Sequence, residues 1–178
     1  MRQNIASIFE RPASGFGGRD RGCGRPNDPV RPLSRRSVQG HKVDQAQAEV
    51  DSVIARSGDQ AVLDADVRGL HPELIKLVGR LKFRYSYGEN VLQHSVEVAQ
   101  LAGMLAGEIR ANTQVAKSGG LLHDIGKALT HEVEGSHIEI GDEVARRYGL
   151  SDAVKAAIAE HHDDDRGSAE AFLVAAAD

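Results

Sequence analysis

Residues 120–127, with the sequence GLLHDIGK, place a histidine and an aspartate side by side at the end of an apolar stretch. The apolar residues before them recur at helical spacing, which predicts a helix from Thr113 to about Ile125. His123 and Asp124 would lie on its apolar face, where an imidazole and a carboxylate are costly to bury unless they are paired or bind a metal ion. For one histidine alone, a hydrogen-bonded core residue is the simpler interpretation. The doublet therefore needs support from the rest of the chain.

Four other predicted helices carry the same kinds of side chain on an apolar face. If these apolar faces pack into one core, the side chains meet the doublet there. Imidazoles and carboxylates are suitable ligands for Zn, Mn, Fe, Ni or Co, and two ions that share one bridging aspartate would use seven groups. The four helices carry His94 (residues 90–109), His137 (136–148), His161 and His162 (151–162), and Asp178 (from 167 onward).

Residues with capping side chains mark where these helices begin. Ser136 and Glu139 form an S-x-x-E capping box, in which each side chain binds the backbone of the other residue. Asn90, Thr113 and Ser151 are each predicted to cap a helix. Together these signals predict that the second half of the chain is helical.

The segment before these helices is predicted to contain two more. Apolar residues at helical spacing begin near Lys42, and Gly58 is expected to end that first helix. Residues 61–67 fit either a short strand or a connector. Pro72 suits the first turn of the next helix, and a turn is predicted around Gly88.

The composition bounds the fold class. The chain has 178 residues, of which 40% are hydrophobic, which is enough for one domain with a core. Only 4% are aromatic and none is Trp, which favours packed helices over a β-sandwich. The single cysteine, Cys23, excludes an internal disulfide framework and favours a reducing, cytosolic setting. No run of 18 apolar residues and no apolar leader is present, so neither a transmembrane helix nor a signal peptide is expected.

Residues 1–41 differ from the rest of the chain in composition. They contain four of the five prolines, six glycines and eight arginines against three acidic residues, a formal charge of +5. Residues 42–178 carry 14 basic and 23 acidic residues, a formal charge of −9. The first segment cannot bury enough apolar surface to offset its ordering entropy, so we predict a disordered or non-homologous tail. An Arg/Gly nucleic-acid-binding tail is the alternative.

The doublet and the ligand residues around it resemble the HD superfamily of metal-dependent phosphohydrolases. The resemblance covers residues 90–178, which carry the histidines and aspartates in the order typical of that superfamily. It implies an all-α HD-domain helical bundle, truncated at its C-terminus and entered through a helical linker at residues 42–89. It also implies one or two divalent metal ions, such as Mn, Mg, Zn or Fe.

Three stretches resemble the ribonuclease Y family, a group of bacterial endoribonucleases that begin mRNA decay. They are GLHPELIKLVGRLK at 69–82, SYGENVLQHS at 86–95 and HEVEGSH at 131–137, and the resemblance extends over residues 43–178. Full-length members carry a membrane anchor, a coiled coil and a KH RNA-binding domain before the HD domain, and residues 1–41 resemble none of these. The chain is therefore expected to be a cytoplasmic fragment. Its expected partners are RNA, a second copy of itself as a homodimer, and RNA-degradation proteins.

The resemblance also implies a role for each candidate residue. Asp124 and Lys127 are the expected catalytic residues. Lys127 matches a basic residue next to the doublet that can neutralise a phosphate, and the alternative for this residue is a solvated lysine. Arg80, Lys82 and Arg84 are expected to bind the RNA backbone, unless they form a solvated face. The first metal set consists of His94, His123, Asp124 and Asp178, and the second consists of His137, His161 and His162 with Asp124 as the bridge.

Hydrolysis of single-stranded RNA is the function that the resemblance implies. A metal ion lowers the pKa of a water bound to it and so favours attack on phosphorus. One alternative is an HD hydrolase of nucleotides or cyclic dinucleotides, although the Gly-Tyr-Pro sequence typical of the cyclic-dinucleotide branch does not follow the doublet. Another alternative is a catalytically inactive metal-binding fragment.

Overall fold

The structure, a computed structural model, describes residues 35–178, with side chains from residue 42 onward. The predicted disordered tail lies outside these residues, except for the helical backbone of residues 35–41. Seven α-helices, a β-hairpin and two 3-10 helices make up the described part of the chain. The α-helices are α1 (Arg35–Asp64), α2 (Pro72–Arg80), α3 (Val91–Ile109), α4 (Thr113–Leu122), α5 (His137–Arg147), α6 (Asp152–Glu160) and α7 (Ala169–Ala177); the hairpin pairs β1 (Tyr85–Ser86) with β2 (Glu89–Asn90), and the 3-10 helices span Leu81–Phe83 and Ile125–Ala128.

Helix α1 passes through Gly58 without a break, so the predicted end of the helix at this residue is wrong. Gly58 instead lets α1 and α2 cross closely, because a β-carbon built on it would lie 2.2 Å from the Ile75 carbonyl oxygen. Gly79 of α2 serves the same contact, since its β-carbon would lie 2.0 Å from the Ile54 carbonyl oxygen. Residues 61–67 divide between the last turn of α1 and a connector.

Two groups of buried apolar side chains form the core. The larger group joins α1, α2 and α3 to α4, α5 and α6, and it includes Leu74 and Leu121. The smaller group is rich in alanine and joins α3 and α4 to α6 and α7. Leu101 of α3 is exposed, because the buried face of this helix runs through Ala99 and Ala102.

The predicted helix caps are present, with one exception. Ser136 and Glu139 make both bonds of the capping box at the start of α5, and Asn90 caps α3. Helix α4 is capped by Asn112 and not by Thr113, because the Asn112 side chain accepts hydrogen bonds from two backbone N–H groups of the first turn. Thr113 is the first helical residue instead.

The chain leaves helical geometry at the two points that carry most of the candidate ligands. Helix α4 ends at Leu122, and Asp124 stands between it and the second 3-10 helix. Helix α6 ends at Glu160, so the two histidines that follow lie in a turn. The predicted all-α architecture is confirmed. None of the helices within residues 35–178 is long and apolar enough to cross a membrane.

Candidate metal centre

The structure brings the seven predicted ligand residues together in one cluster. Five imidazole rings form a continuous chain, in which neighbouring ring centroids lie 4.1–5.7 Å apart. Two carboxylates stand among these rings. The residues are His94 of α3, His123 and Asp124 after α4, His137 of α5, His161 and His162 after α6, and Asp178 after α7.

The first predicted set meets around the Nε2 atoms of two histidines. Asp178 Oδ1 lies 2.8 Å from His94 Nε2 and 3.3 Å from His123 Nε2. Asp124 Oδ2 lies 3.4 Å from the same atom of His123. Three ligand atoms, one from each of His94, His123 and Asp124, lie within 4.8 Å of one another. This spacing suits atoms that bind a common metal ion.

The second predicted set lies beside the first. One ligand atom each from His137, His161 and His162 also lie within 4.8 Å of one another. Asp124 faces both sets, because its Oδ1 lies 3.6 Å from His137 Nε2 while its Oδ2 lies near His123. A single carboxylate thus offers one oxygen to each set, as a bridging ligand would.

Backbone carbonyls determine which ring nitrogen of the two most buried histidines faces the site. Nδ1 of His123 donates to the Gly120 carbonyl oxygen at 2.7 Å, and Nδ1 of His161 donates to the Ile158 carbonyl oxygen at 2.8 Å. Because a carbonyl oxygen only accepts, each Nδ1 carries the hydrogen, and the neutral ring keeps its lone pair on Nε2. Metal-ligating histidines typically make this kind of contact on the far side of the ring.

Buried polar atoms without a hydrogen-bond partner are concentrated in this cluster. Four of the six such side-chain atoms among the described residues belong to it, namely Nε2 of His123, His137 and His161 and Oδ1 of Asp124. Buried polar atoms are otherwise almost always paired. A divalent cation bound between these donors would satisfy them, so the residues present fit a metal site.

The electrostatics of the first set favour positive charge. Burial by itself lowers the pKa of His123, but the carboxylates of Asp124 and Asp178 outweigh burial and raise this pKa to about 9. His123 in turn holds the pKa of Asp178 well below its usual range. Burial opposes the ionisation of Asp124, yet His123 and Lys127 keep its pKa well below the usual range too. Two ionised carboxylates therefore stabilise a cation at His123 Nε2.

Burial dominates the histidines of the second set. It lowers the pKa of His161 to about 4 and also lowers the pKa of His137. Both rings are therefore neutral at pH 7. Neutral imidazole is the form that binds a metal ion, so this set is prepared for a ligand role without a proton loss.

Lys127, the other predicted catalytic residue, stands between the ligands and an open cavity. Its Nζ lies 2.6 Å from Asp124 Oδ2, and its side chain is partly exposed. Lys127 and Asp124 both line a cavity of about 570 Å³ that also reaches His94, His137, His162 and Asp178. This is the space in which a substrate would meet the ligand cluster.

The β-hairpin forms another wall of this cavity through Ser86, Tyr87 and Glu89. The sequence predicts a turn here but does not indicate that the turn lies beside the ligands, because the contact between the hairpin and the cluster depends on packing. The available signal is that this turn belongs to the stretch SYGENVLQHS, which carries the resemblance to ribonuclease Y.

The three basic residues expected to bind RNA do not share one surface. Arg80 forms an ion pair with Glu132, and the half-buried Arg84 donates to the Lys127 carbonyl oxygen at 2.6 Å. Lys82 is exposed and lines a different groove, between α1 and α3. RNA binding stays a prediction for all three, and Arg84 has a structural role in addition.

Arg84→Ala is expected to destabilise the segment that carries Lys127. The guanidinium of Arg84 binds both the Lys127 carbonyl oxygen and Thr130 Oγ1, and hydrogen bonds from a charged group contribute about 1.5–3 kcal/mol. Urea unfolding should show that the free energy of unfolding falls by this amount at low and at high salt. Lys82→Ala removes the same charge from an exposed side chain and should stay within about 0.5 kcal/mol of the parent. Equal stability of the two variants would contradict the structural role.

Comparison with protein-family models matches residues 91–178 to the HD domain family. The matched range contains all seven residues of the ligand cluster. The helical bundle built around the His–Asp doublet is therefore an HD domain.

Comparison with curated proteins finds ribonuclease Y from several bacteria. The chain is 58% identical to ribonuclease Y of Thermoanaerobacter pseudethanolicus over 137 residues, 55% identical to that of Desulforudis audaxviator over 137 residues, and 57% identical to that of Fervidobacterium nodosum over 136 residues. Each match covers 76% of this chain but only 26–27% of the relative. The chain belongs to the ribonuclease Y family and spans about a quarter of the length of these relatives. No solved structure matches it.

Proposed function

We propose that this chain carries the hydrolytic centre of a metal-dependent endoribonuclease that cleaves single-stranded RNA and initiates mRNA decay. The observation that carries the proposal is the convergence of seven His and Asp residues, with four unpaired buried atoms among them, beside a cavity that five of the seven line. The relatives named ribonuclease Y support RNA as the substrate.

The donor set fits two metal ions that share Asp124. His94, His123 and Asp178 would hold one ion and the three remaining histidines the other, so that each ion has four donors when Asp124 is counted twice. Divalent Mn, Mg, Zn or Fe are suitable occupants. When bound, such an ion supplies Lewis acidity towards water and towards the phosphate.

The chain's own residues would bind and orient the phosphodiester. Lys127 is expected to bind a non-bridging phosphate oxygen, and its ammonium group then offsets the charge that develops there during cleavage. Asp124 keeps Lys127 at the cavity through their 2.6 Å ion pair. The hydrogen bonds from the Nδ1 atoms of His123 and His161 to backbone carbonyls prevent rotation of these rings.

The proposal is tested on the purified chain after removal of metal with a chelator and dialysis against Mn²⁺. We expect two ions per chain by metal analysis, and hydrolysis of a labelled single-stranded RNA that is lost on chelation and regained with Mn²⁺. His162→Ala should remove one ion, because it takes away a donor of the second set. His131→Ala, which changes an exposed histidine outside both sets, should leave the metal content unchanged.

The same assay separates the competing functions. A parent chain that hydrolyses nucleoside phosphates but not RNA is an HD nucleotide hydrolase. One that binds Mn²⁺ without either activity is an inactive metal-binding fragment. A parent chain that binds no metal contradicts all three.

The family also supports three wider proposals. We propose that Arg80, Lys82 and Arg84 bind the RNA backbone. A homodimer and RNA-degradation proteins are the proposed protein partners, and the cytoplasm is the proposed location. The relatives' greater length is consistent with further RNA contacts outside the range matched by this chain.

A further inference from the structure

Tyr87 lies at the tip of the hairpin in a conformation that an L-residue seldom adopts. The two turn residues between β1 and β2 are Tyr87 and Gly88, with φ of +51° and +88°. Two positive φ values are typical of a type I′ turn, in which Asn-Gly is the preferred pair. A tyrosine at the first position therefore costs conformational energy that asparagine would avoid.

Packing of the ring does not offset this cost. The relative accessibility of Tyr87 is 107%, so its ring is fully exposed. A large aromatic side chain that is both strained and unburied contributes little to folding, and such outliers point to a role in function.

The hairpin is held firmly beside the ligand cluster. The backbone N–H of Val91 donates to the Arg84 carbonyl oxygen at 3.0 Å, and the side chain of Asn90 donates to the Lys82 carbonyl oxygen at 2.7 Å. The side chain of Arg84, at the base of the hairpin, donates a hydrogen bond to the Lys127 carbonyl oxygen and so connects the hairpin to that segment. The tip of the hairpin is thus positioned by the same segment that carries the expected catalytic residues.

Tyr87 and Lys127 line the same cavity as the metal ligands. Lys127 and the cations that the metal ligands would hold suit a phosphate group, whereas the carboxylate of Glu89 on the hairpin side repels one. The hairpin side of the cavity therefore suits an uncharged part of the substrate. The uncharged parts of single-stranded RNA are the ribose and the nucleobase, and only the nucleobase has a flat face for an aromatic ring. Proteins commonly bind unpaired bases by stacking them on exposed aromatic rings.

We propose that the ring of Tyr87 stacks on a nucleobase next to the scissile phosphodiester and so positions single-stranded RNA over the metal centre. This inference rests on the proposed function, because it assigns a substrate-binding residue to that same site. It also implies that the site prefers unpaired RNA, since a base within a duplex has no free face for the ring.

The test measures binding of a short single-stranded RNA that carries 2-aminopurine, with chelator present to prevent cleavage. Stacking on the ring should change the 2-aminopurine emission in the parent chain. Tyr87→Ala should weaken binding about 5- to 100-fold and abolish the emission change, and Tyr87→Phe should restore both. Tyr85→Ala is the matched control, because Tyr85 is also exposed but lines the groove on the other side of the hairpin.

Two further measurements separate base stacking from a purely structural role. Tyr87→Asn should melt at or above the temperature of the parent, because asparagine suits the turn, yet bind RNA as weakly as Tyr87→Ala. With an RNA that has an abasic nucleotide in place of 2-aminopurine, the parent and Tyr87→Ala should bind equally.

Binding by Tyr87→Ala within twofold of the parent would overturn this inference and leave the proposed function intact. An equal loss on the intact and the abasic RNA would overturn it as well. A parent chain that neither binds nor cleaves RNA would overturn the proposed function, and the role of Tyr87 with it.

Discussion

Asp124→Asn is expected to lower the rate of RNA hydrolysis by more than about 100-fold. This loss exceeds the one typical of residues that only hydrogen-bond to a metal ligand, because Asp124 is itself an expected ligand. Asp124 is 2% exposed and offers one oxygen to each ligand set. Asparagine keeps the shape but removes the charge that balances the cations and holds Lys127. Initial rates with Mn²⁺ and metal analysis of the same sample measure the effect.

The variant should still fold, which separates loss of chemistry from loss of structure. Removal of one charged, buried hydrogen-bond partner costs about 1–3 kcal/mol, so the circular dichroism of the helices at 25 °C should be nearly unchanged. Asp164→Asn is a suitable control, because this carboxylate is exposed in the turn that follows the histidine pair. If Asp124→Asn cleaves RNA as fast as Asp164→Asn, the proposed role of the doublet is wrong.

Gly126→Ala is expected to reduce both stability and metal binding strongly. A β-carbon at this position would lie 1.9 Å from the His137 carbonyl oxygen and 2.7 Å from its carbonyl carbon. Backbone cannot yield as a flexible side chain can, so the start of α5 must move away from the second 3-10 helix. Overpacking of this kind costs about 1–3 kcal/mol or more, and the movement takes His137 away from Asp124.

Thermal unfolding and metal analysis together check this expectation. The melting temperature should fall by at least several degrees, and the metal content should drop by one ion per chain. Gly107→Ala provides the comparison, because a β-carbon on this helical glycine of α3 meets nothing within 4 Å. That change should be neutral or should stabilise the chain by up to about 1 kcal/mol. A Gly126→Ala chain as stable as the Gly107→Ala chain would show that the two segments are not rigidly packed.

Much of the candidate site could be predicted because its residue types are unusual where they stand. Histidines and aspartates on apolar helical faces need a partner, and the seven candidates do lie together. The helix limits were less predictable at their ends. His161 and His162, for example, follow α6 in a turn instead of continuing its stripe.

The basic residues show where a prediction from spacing runs out. The spacing of Arg80, Lys82 and Arg84 in the sequence suggests a basic strip. In the structure, however, Arg80 forms an ion pair with Glu132 and Arg84 donates a hydrogen bond to the Lys127 carbonyl oxygen. Their partners lie more than 40 residues further along the chain. No pattern within a short window reports such a pairing.

The sequence by itself determined the helical class and most of the capping residues of this protein, together with the chemistry of its ligand cluster. The capping box of Ser136 and Glu139 is an example, because its bonds close within three residues and depend only on local geometry. The tertiary structure alone decided that Gly58 lets α1 and α2 cross closely and that Tyr87 lies at the cavity beside the metal ligands. The physical reason is that backbone hydrogen bonds and caps act over about four residues, whereas the crossing of α1 with α2 and the position of the hairpin arise from contacts between segments distant in the chain.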